Sequence, residues 1–486
     1  MPKWLARALS RPELLCLIAA SALTHFWRLF SPRAVVFDEF HFERFASAYL
    51  TGRFYFDVHP PLGNLMYAAA ATLARIPADV LARPDPAPLL RILPAVFGTI
   101  VIPLVYTILR QLGSSRPVAA LGALAILADN ALLVTSRFVL LDIFLIGFGL
   151  AAAALYLAAR SRIRAARWRF LVLAAALAGC ALSVKWTGAS ALGLILGAWL
   201  LESVRRRIPL SRFVGEAALL VGIPILVYVS AFAVHFALLT RSGPGNTFMS
   251  AAFQSQLIGS LQYDSTVHVT FWQKLADVHR AMWYGNTSLQ LVKHPASSPW
   301  YTWPLMKHPF SLWNGPVGAD ESRASIAFVG NPAVWWGGLL ATLIGVVALL
   351  SRRARLRRVT AAGSAGTGFE TSKPASAPAG FAVFFLLAGI LINFVPFAAI
   401  QRVMYLYHYL LALVFVMMFG AYAAGMLARW NGASASRHAH PAWSRALYWA
   451  VVIVLLAGFV YVFPFTYGWP LSRSQWVARS WLLHPF

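Results

Sequence analysis

Apolar runs of about 20 residues recur along the whole sequence, separated by short segments in which arginines gather. A helix of that length crosses the hydrocarbon core of a bilayer, about 30 Å thick. The pattern therefore predicts an all-α polytopic membrane protein. Eleven spans are expected, near 12–30, 90–110, 117–135, 139–159, 168–184, 187–203, 214–238, 333–351, 381–400, 403–428 and 446–466. The stretch 168–203 admits other cuts. The apolar stretch 62–74 is too short to cross and is expected to be an interfacial or re-entrant helix. The first run follows a basic start, as a secretion signal does, but no small-residue cleavage site follows it. It is read as a retained first helix.

Two of the intervals between spans are long. One covers 31–89. The other covers 240–332 and is rich in Trp, Tyr, His and Pro, as in "SSPWYTWPLMKHP". That aromatic content argues for order, and ordered loops of such length usually carry function. A third interruption, 352–380, contains "AAGSAGTGFETSKPASAPAG", the composition of a flexible linker. No internal repeat is found, so the inverted-repeat architecture of many transporters gains no support. The chain 1–486 is read as a single membrane-embedded domain carrying these two loops and the linker.

Composition agrees. Of 486 residues, 59% are hydrophobic and 12% charged, and mean hydropathy is +0.66. Soluble domains carry about 25% charged residues. The net charge of +25 raises nucleic acid as a partner. No separate basic domain or recognition motif is present, and that class is set aside. With the N-terminus in the cytoplasm, more than half of the 41 basic residues fall in short cytoplasmic segments, as the positive-inside rule requires. Most of the 16 acids then lie on the other side. Cys16 and Cys180 fall in apolar segments, and no disulfide framework or metal-ligand spacing is visible.

Four of those acids, Asp38, Glu39, Glu43 and Asp57, share one stretch, "FDEFHFERFASAYLTGRFYFDVHPPLGN". A helix is expected to begin near Asp38. Adjacent residues on a helix project about 100° apart, so one of Asp38 and Glu39 can face a cavity while the other structures the loop. Capping of the helix N-terminus is the simpler role for such a pair. Pro60 and Pro61 stiffen the return to the membrane and can fix Asp57 and His59 against its surface. Arg91, Arg137, Asp142, Lys185, Arg402 and His408 sit at span ends on the acid-bearing side. Snorkelling explains each singly. Together they suggest an anionic ligand, and a lipid phosphate suits the geometry.

The same acidic stretch resembles the first loop of the protein O-mannosyltransferases, in the pattern F-D-E-x-H-F … F-D-V-H-P-P-L-G. "RILPAVFGTIVIPLVY", "LADNALLVTSRFVLLDIFL", "SVKWTGAS", "HFALLTRSGPGNTFMSAAFQSQLIGS" and "QRVMYLYHYLLAL" follow in the family's order, so the resemblance runs from about 37 to 412. It implies a membrane-embedded GT-C fold with interfacial helices in the first extracytoplasmic loop. It also implies inverting transfer of mannose from a polyprenyl-phosphate-mannose donor to Ser or Thr hydroxyls of exported proteins. The loop 240–332 is too short for the β-trefoil domain of eukaryotic members. The resemblance is therefore to a short, bacterial-type member of the cytoplasmic (inner) membrane, its catalytic face extracytoplasmic. Related enzymes glycosylate lipid A or a cell-wall polysaccharide, and a lipid or sugar transporter is the remoter alternative.

Asp38 and Glu39 are implied as catalytic, with Asp38 the base and Glu39 positioning its loop or the acceptor. Arg91, Arg137, Lys185 and Arg402 are expected to bind the donor phosphate. Asp57, His59, Asp142 and His408 are expected to support them. No cofactor is required beyond the lipid-linked donor, and no ligand cluster demands a divalent metal. Partners are the exported acceptor protein, the secretion machinery that delivers it, and membrane lipids.

Overall fold

The computed structural model describes residues 11–83, 86–161, 164–288, 294–363, 377–428 and 442–483. Among them, nine helices are long and apolar enough to cross a membrane: Pro88–Gln111, Asp142–Arg160, Ala166–Val184, Trp186–Arg206, Leu210–Leu238, Pro332–Arg352, Gly380–Ala399, Leu406–Leu427 and Ala442–Tyr467. Two expected spans differ. The first is a helix of 15 residues, Pro12–Phe26. At a rise of 1.5 Å per residue it is about 22 Å long, short of the hydrocarbon core. The run 117–135 is broken into Arg116–Leu127 and Asn130–Thr135. Asp129 makes the break. Its Oδ1 accepts from the Leu132 N–H at 2.8 Å, and its Oδ2 accepts from Trp335 Nε1 at 2.7 Å. A buried carboxylate needs such donors, and taking one from the next turn turns Asp129 into a cap.

The stretch 62–74 forms the helix Leu62–Leu73, packed on the helix Glu39–Thr51. The helix Pro332–Gly363 continues into the expected linker, and 364–376 of that linker lies outside the described residues. Arg429 and Arg437, counted among the cytoplasmic cations, also lie outside them, as do Lys3 and Arg7.

Leu410–Leu427 is buried along nearly its whole length, between Pro332–Gly363, Ala377–Phe394 and Arg116–Leu127. Asp142–Arg160 holds the same place in the N-terminal half, between Ile92–Gln111 and Arg164–Val184. Leu210–Leu238 and Ala442–Tyr467 instead turn Ile225, Leu226, Ile453 and Val460 outward. Apolar side chains facing outward suit a lipid surround. At the end of Asp142–Arg160 remote from Asp142, Glu202 accepts from Arg160 and Tyr156, and Glu216 accepts from Arg167, Arg212 and Trp199. Both oxygens of Glu216 are bonded, whereas Glu202 takes these bonds on Oε2 alone and sets Oε1 2.9 Å from Arg206 Nη2 as an ion pair.

The non-spanning segments are joined to each other. Phe54 N–H donates to Arg241 O at 2.8 Å, and Arg241 N–H donates to Gly52 O at 2.8 Å. Phe37 N–H donates to Leu312 O at 3.1 Å, tying the first loop to an antiparallel hairpin of Phe310–Asn314 and Ser325–Phe328. Gly243 and Gly245 of "SGPGNTF" lie against the backbone of residues 54–56. A Cβ on Gly245 would stand 2.4 Å from the Tyr55 carbonyl carbon. No flexible side chain is there to give way, so Gly245→Val is expected to push back the segment 54–56 that leads into Asp57–His59. Overpacking of this kind costs about 1–3 kcal/mol. A lowered thermal midpoint of the detergent-solubilised protein checks it; an unchanged midpoint means the segment yields freely.

Candidate functional site

The first loop enters its helix through a strained residue. Phe37 has φ of 54°, a left-handed conformation that a bulky side chain adopts only when its surroundings impose it. Its N–H is held by Leu312 O, and its ring lies 5.6 Å from that of Phe310. The turn places Asp38 at the N-cap of Glu39–Thr51, yet the Asp38 side chain makes no capping bond. Glu39 turns inward. Its carboxylate accepts from Arg91 Nε at 2.8 Å, Arg91 Nη2 at 2.7 Å, Val36 N–H at 2.9 Å and Val139 N–H at 3.0 Å. Both side chains of that pair are fully buried. The helix ends on Gly52 with φ of 71°, where glycine carries no steric cost.

The chain then returns through Asp57. Asp57 Oδ1 accepts from the His59 N–H at 3.1 Å and Oδ2 from Asn64 Nδ2 at 2.8 Å. The helix Leu62–Leu73 begins directly after Pro60 and Pro61. Tyr67 on it donates to Leu140 O at 2.7 Å.

Two cavities meet at this loop. The first, about 690 Å³, is mostly apolar, with Leu145, Ile146, Ile392, Phe397 and Leu411 in its walls. Its polar lining includes His59, Asp142, Lys185, Asn286, Arg402 and His408. The second, about 870 Å³, is bordered by Asp38, His41, Phe45, Asp57, His59 and Tyr284 among others. Val58 and His59 border both. A void of about 40 Å³ touches Asp38 and His59 together with Asp142, Lys185 and Tyr407. Asp38 and Lys185 thus face a common space.

Burial raises the pKa of Asp38 above the usual carboxylate range, opposed by the charges of His41 and Lys185. Burial pushes Asp57 up to about 6, opposed by its hydrogen bonds from Asn64 and His59. Burial, with the nearby Lys185, Arg402 and His408, holds His59 well below its ordinary value, so it is neutral. Lys185 Nζ reaches both oxygens of Asp142, at 2.8 and 2.9 Å, and stands 5.5 Å from the Tyr407 ring. Arg402 Nη1 donates to Asn286 Oδ1. His408 is stacked on Tyr407 at 4.4 Å.

The family model described as "Dolichyl-phosphate-mannose-protein mannosyltransferase" matches residues 15–240, and that described as "C-terminal four TMM region of protein-O-mannosyltransferase" matches 271–484. The chain belongs to the protein O-mannosyltransferase family. Within that family, it is 35% identical over 274 residues to protein O-mannosyltransferase 1 of Drosophila melanogaster, covering 53% of this chain and 30% of the relative. The chain spans about a third of the length of the curated relatives it matches. Among solved structures it resembles the S. cerevisiae Pmt1-Pmt2 complex bound to the sugar donor, at TM-score 0.81 and 18% identity, over 96% of this chain and 91% of that one. It also resembles the Archaeoglobus fulgidus oligosaccharyltransferase, at TM-score 0.53 and 12% identity, over 97% and 57%. These likenesses place the mannosyltransferase-family chain in the membrane-embedded GT-C fold.

The structure brings Asp38, Asp57, His59, Asp142, Lys185, Arg402 and His408 to the two cavities. It does not bring Arg91 or Arg137 there, which corrects the expectation that they bind phosphate. Arg91 is fully buried and spent on Glu39 and on the carbonyls of Pro32 and Ala34, both at 2.9 Å. Arg137 donates to the carbonyls of Thr24, His25 and Arg28 and lies 4.4 Å from the Tyr467 ring. Each guanidinium holds loop backbone in place. Glu39, expected as catalytic beside Asp38, is likewise committed to Arg91 and two backbone N–H groups and borders neither cavity. Sequence reading missed Asn286 and Tyr407. The aromatic second loop was visible as a segment, but nothing in its spacing singles out one amide.

Proposed function

We propose that the chain is an inverting glycosyltransferase. It moves mannose from a polyprenyl-phosphate-mannose donor to Ser or Thr hydroxyls of exported proteins, at the membrane face away from the cytoplasm. The observation that carries this reading is Asp38, a carboxylate with no capping duty that borders the second cavity and shares a small void with Asp142 and Lys185 of the first. The description of the matching family model, which names dolichyl-phosphate-mannose, supports the choice of donor.

In this reading the first cavity takes the start of the polyprenyl chain, and the second takes the acceptor segment. Asp38 accepts the proton of the acceptor hydroxyl as its oxygen bonds to the anomeric carbon. The bond from that carbon to the phosphate oxygen breaks on the opposite face, which inverts the configuration. Negative charge grows on the leaving phosphate, where fixed cations and N–H donors stabilise it. Arg402 supplies charge with no carboxylate partner among the described residues. Lys185 contributes with its charge shared by Asp142, and His59 and His408 contribute as hydrogen-bond donors. Asp57 holds the His59 turn.

The base must be ionised to act. Because burial raises the Asp38 pKa, activity is expected to fall as pH drops, at a higher pH than an ordinary aspartate near 3.9 would give. A kcat/KM profile checks it; activity level down to pH 4 contradicts it. The proposal as a whole is tested by intact-mass analysis of exported Ser/Thr-rich proteins from cells with and without the chain. Loss of hexose increments on deletion is expected. Unchanged masses with an altered lipid A or polysaccharide would assign a different acceptor.

A further inference from the structure

The helix Phe271–Ser288 of the second loop is the partition between the two cavities. Trp283, Asn286 and Thr287 face the first, whereas Asp277, Arg280 and Tyr284 face the second. Three side chains anchor it. Asp277 Oδ2 accepts from the Ser250 N–H at 2.9 Å. His279 meets the Tyr228 hydroxyl at 2.8 Å, which in turn accepts from Trp186 Nε1 at 2.9 Å. Asn286 makes the third anchor, and it is the one that touches the candidate chemistry.

Asn286 Nδ2 donates to Met282 O at 2.9 Å and to Val58 O at 3.3 Å, while its Oδ1 accepts from Arg402 Nη1. Two carbonyls on one side and a guanidinium on the other fix the amide orientation, since only the nitrogen donates and only the oxygen accepts. Val58 lies between Asp57 and His59. One amide therefore links the first loop to the cation of the apolar cavity.

Two cations border that cavity, and they are held differently. Lys185 is held by a carboxylate, Asp142, that cancels its charge. Arg402 is held by a neutral amide. A carboxylate at position 286 would also hold the guanidinium, but it would remove the net charge available to an anion and could not donate to the Met282 and Val58 carbonyls. A part-buried charge pair interacts far more strongly than one in bulk water.

We propose that Asn286 is a positioning residue for the lipid-phosphate donor. It aims Arg402 into the cavity and registers it against Val58 without neutralising it. The inference rests on the reading of Arg402 as a phosphate ligand. It predicts that affinity for the donor depends on the absence of charge at position 286.

The test is a double-mutant cycle on the full-length protein in lipid, with polyprenyl-phosphate-mannose as the titrated probe. Asn286→Asp is expected to raise the donor KM by roughly 10- to 100-fold with acceptor KM little moved, and to lower the thermal midpoint because it loses the Nδ2 donor to the Met282 and Val58 carbonyls. Asn286→Ala, which removes the hold but adds no charge, is expected to raise it less. In an Arg402→Gln background, Asn286→Ala is expected to add nothing further, and Asn286→Asp to add less than it does beside Arg402. An equal effect of Asn286→Asp with and without Arg402 would overturn the inference while leaving Arg402 in its role. An Arg402→Gln protein with an unchanged donor KM would overturn the phosphate reading and the inference with it. Should the Asp variant fail to accumulate, the cycle with Asn286→Ala decides by the same criterion.

Discussion

Asp38→Asn is expected to lower glycan transfer by about 10²–10⁴-fold, the usual contribution of a positioned proton acceptor, with membrane insertion and thermal stability unchanged. The substitution keeps the shape and removes the base. It also removes no structural bond, because the Asp38 side chain neither caps its helix nor forms an ion pair among the described residues. Relief of a buried carboxylate works, if anything, toward stability, since burial already raises its pKa. The readout is turnover of purified protein beside its unfolding midpoint. Wild-type turnover would remove Asp38 from the reaction. Loss of turnover with loss of folding would make it a structural residue.

The neighbouring acid is expected to behave in the opposite way. Glu39→Ala leaves the Arg91 guanidinium buried without its carboxylate and strips the Val36 and Val139 N–H groups of their acceptor. Breaking a buried pair from one side costs about 3–5 kcal/mol, enough to lower abundance in the membrane and the unfolding midpoint together. Arg91→Met alone is expected to do the same. The double variant Glu39→Ala with Arg91→Met removes both charges and is expected to lose much less than the two singles combined, because the sites are coupled. Additive losses would mean that Arg91 is held chiefly by the Pro32 and Ala34 carbonyls. Two adjacent acids thus separate experimentally, one setting rate and the other setting stability.

The pattern of apolar runs conveys the membrane bundle because a span must be long and almost uninterrupted to satisfy its own backbone in lipid. It fails at 117–135, where Asp129 interrupts an otherwise apolar run. Nothing local reveals that Trp335 and Asn331, two hundred residues on, supply that acid with donors. The first loop is legible for a related reason. Its acids are out of place in a greasy chain, and the 100° step between Asp38 and Glu39 separates a cavity-facing residue from a loop-holding one. Which acid does which depends on Arg91, brought in from another helix. The cations were the least legible. Arg91, Arg137, Lys185 and Arg402 look alike as charges at span ends. Carbonyls and carboxylates from distant segments decide which of them keeps a free charge at the cavity.

Transfer itself is measured most directly with the purified chain in lipid, supplied with polyprenyl-phosphate-mannose and a Ser/Thr-rich peptide, with the peptide mass as the readout. Hexose increments on hydroxyl side chains are expected, and they vanish with Asp38→Asn while donor affinity persists. An unmodified peptide, with sugar appearing instead on a lipid or polysaccharide acceptor, would contradict the proposed transfer.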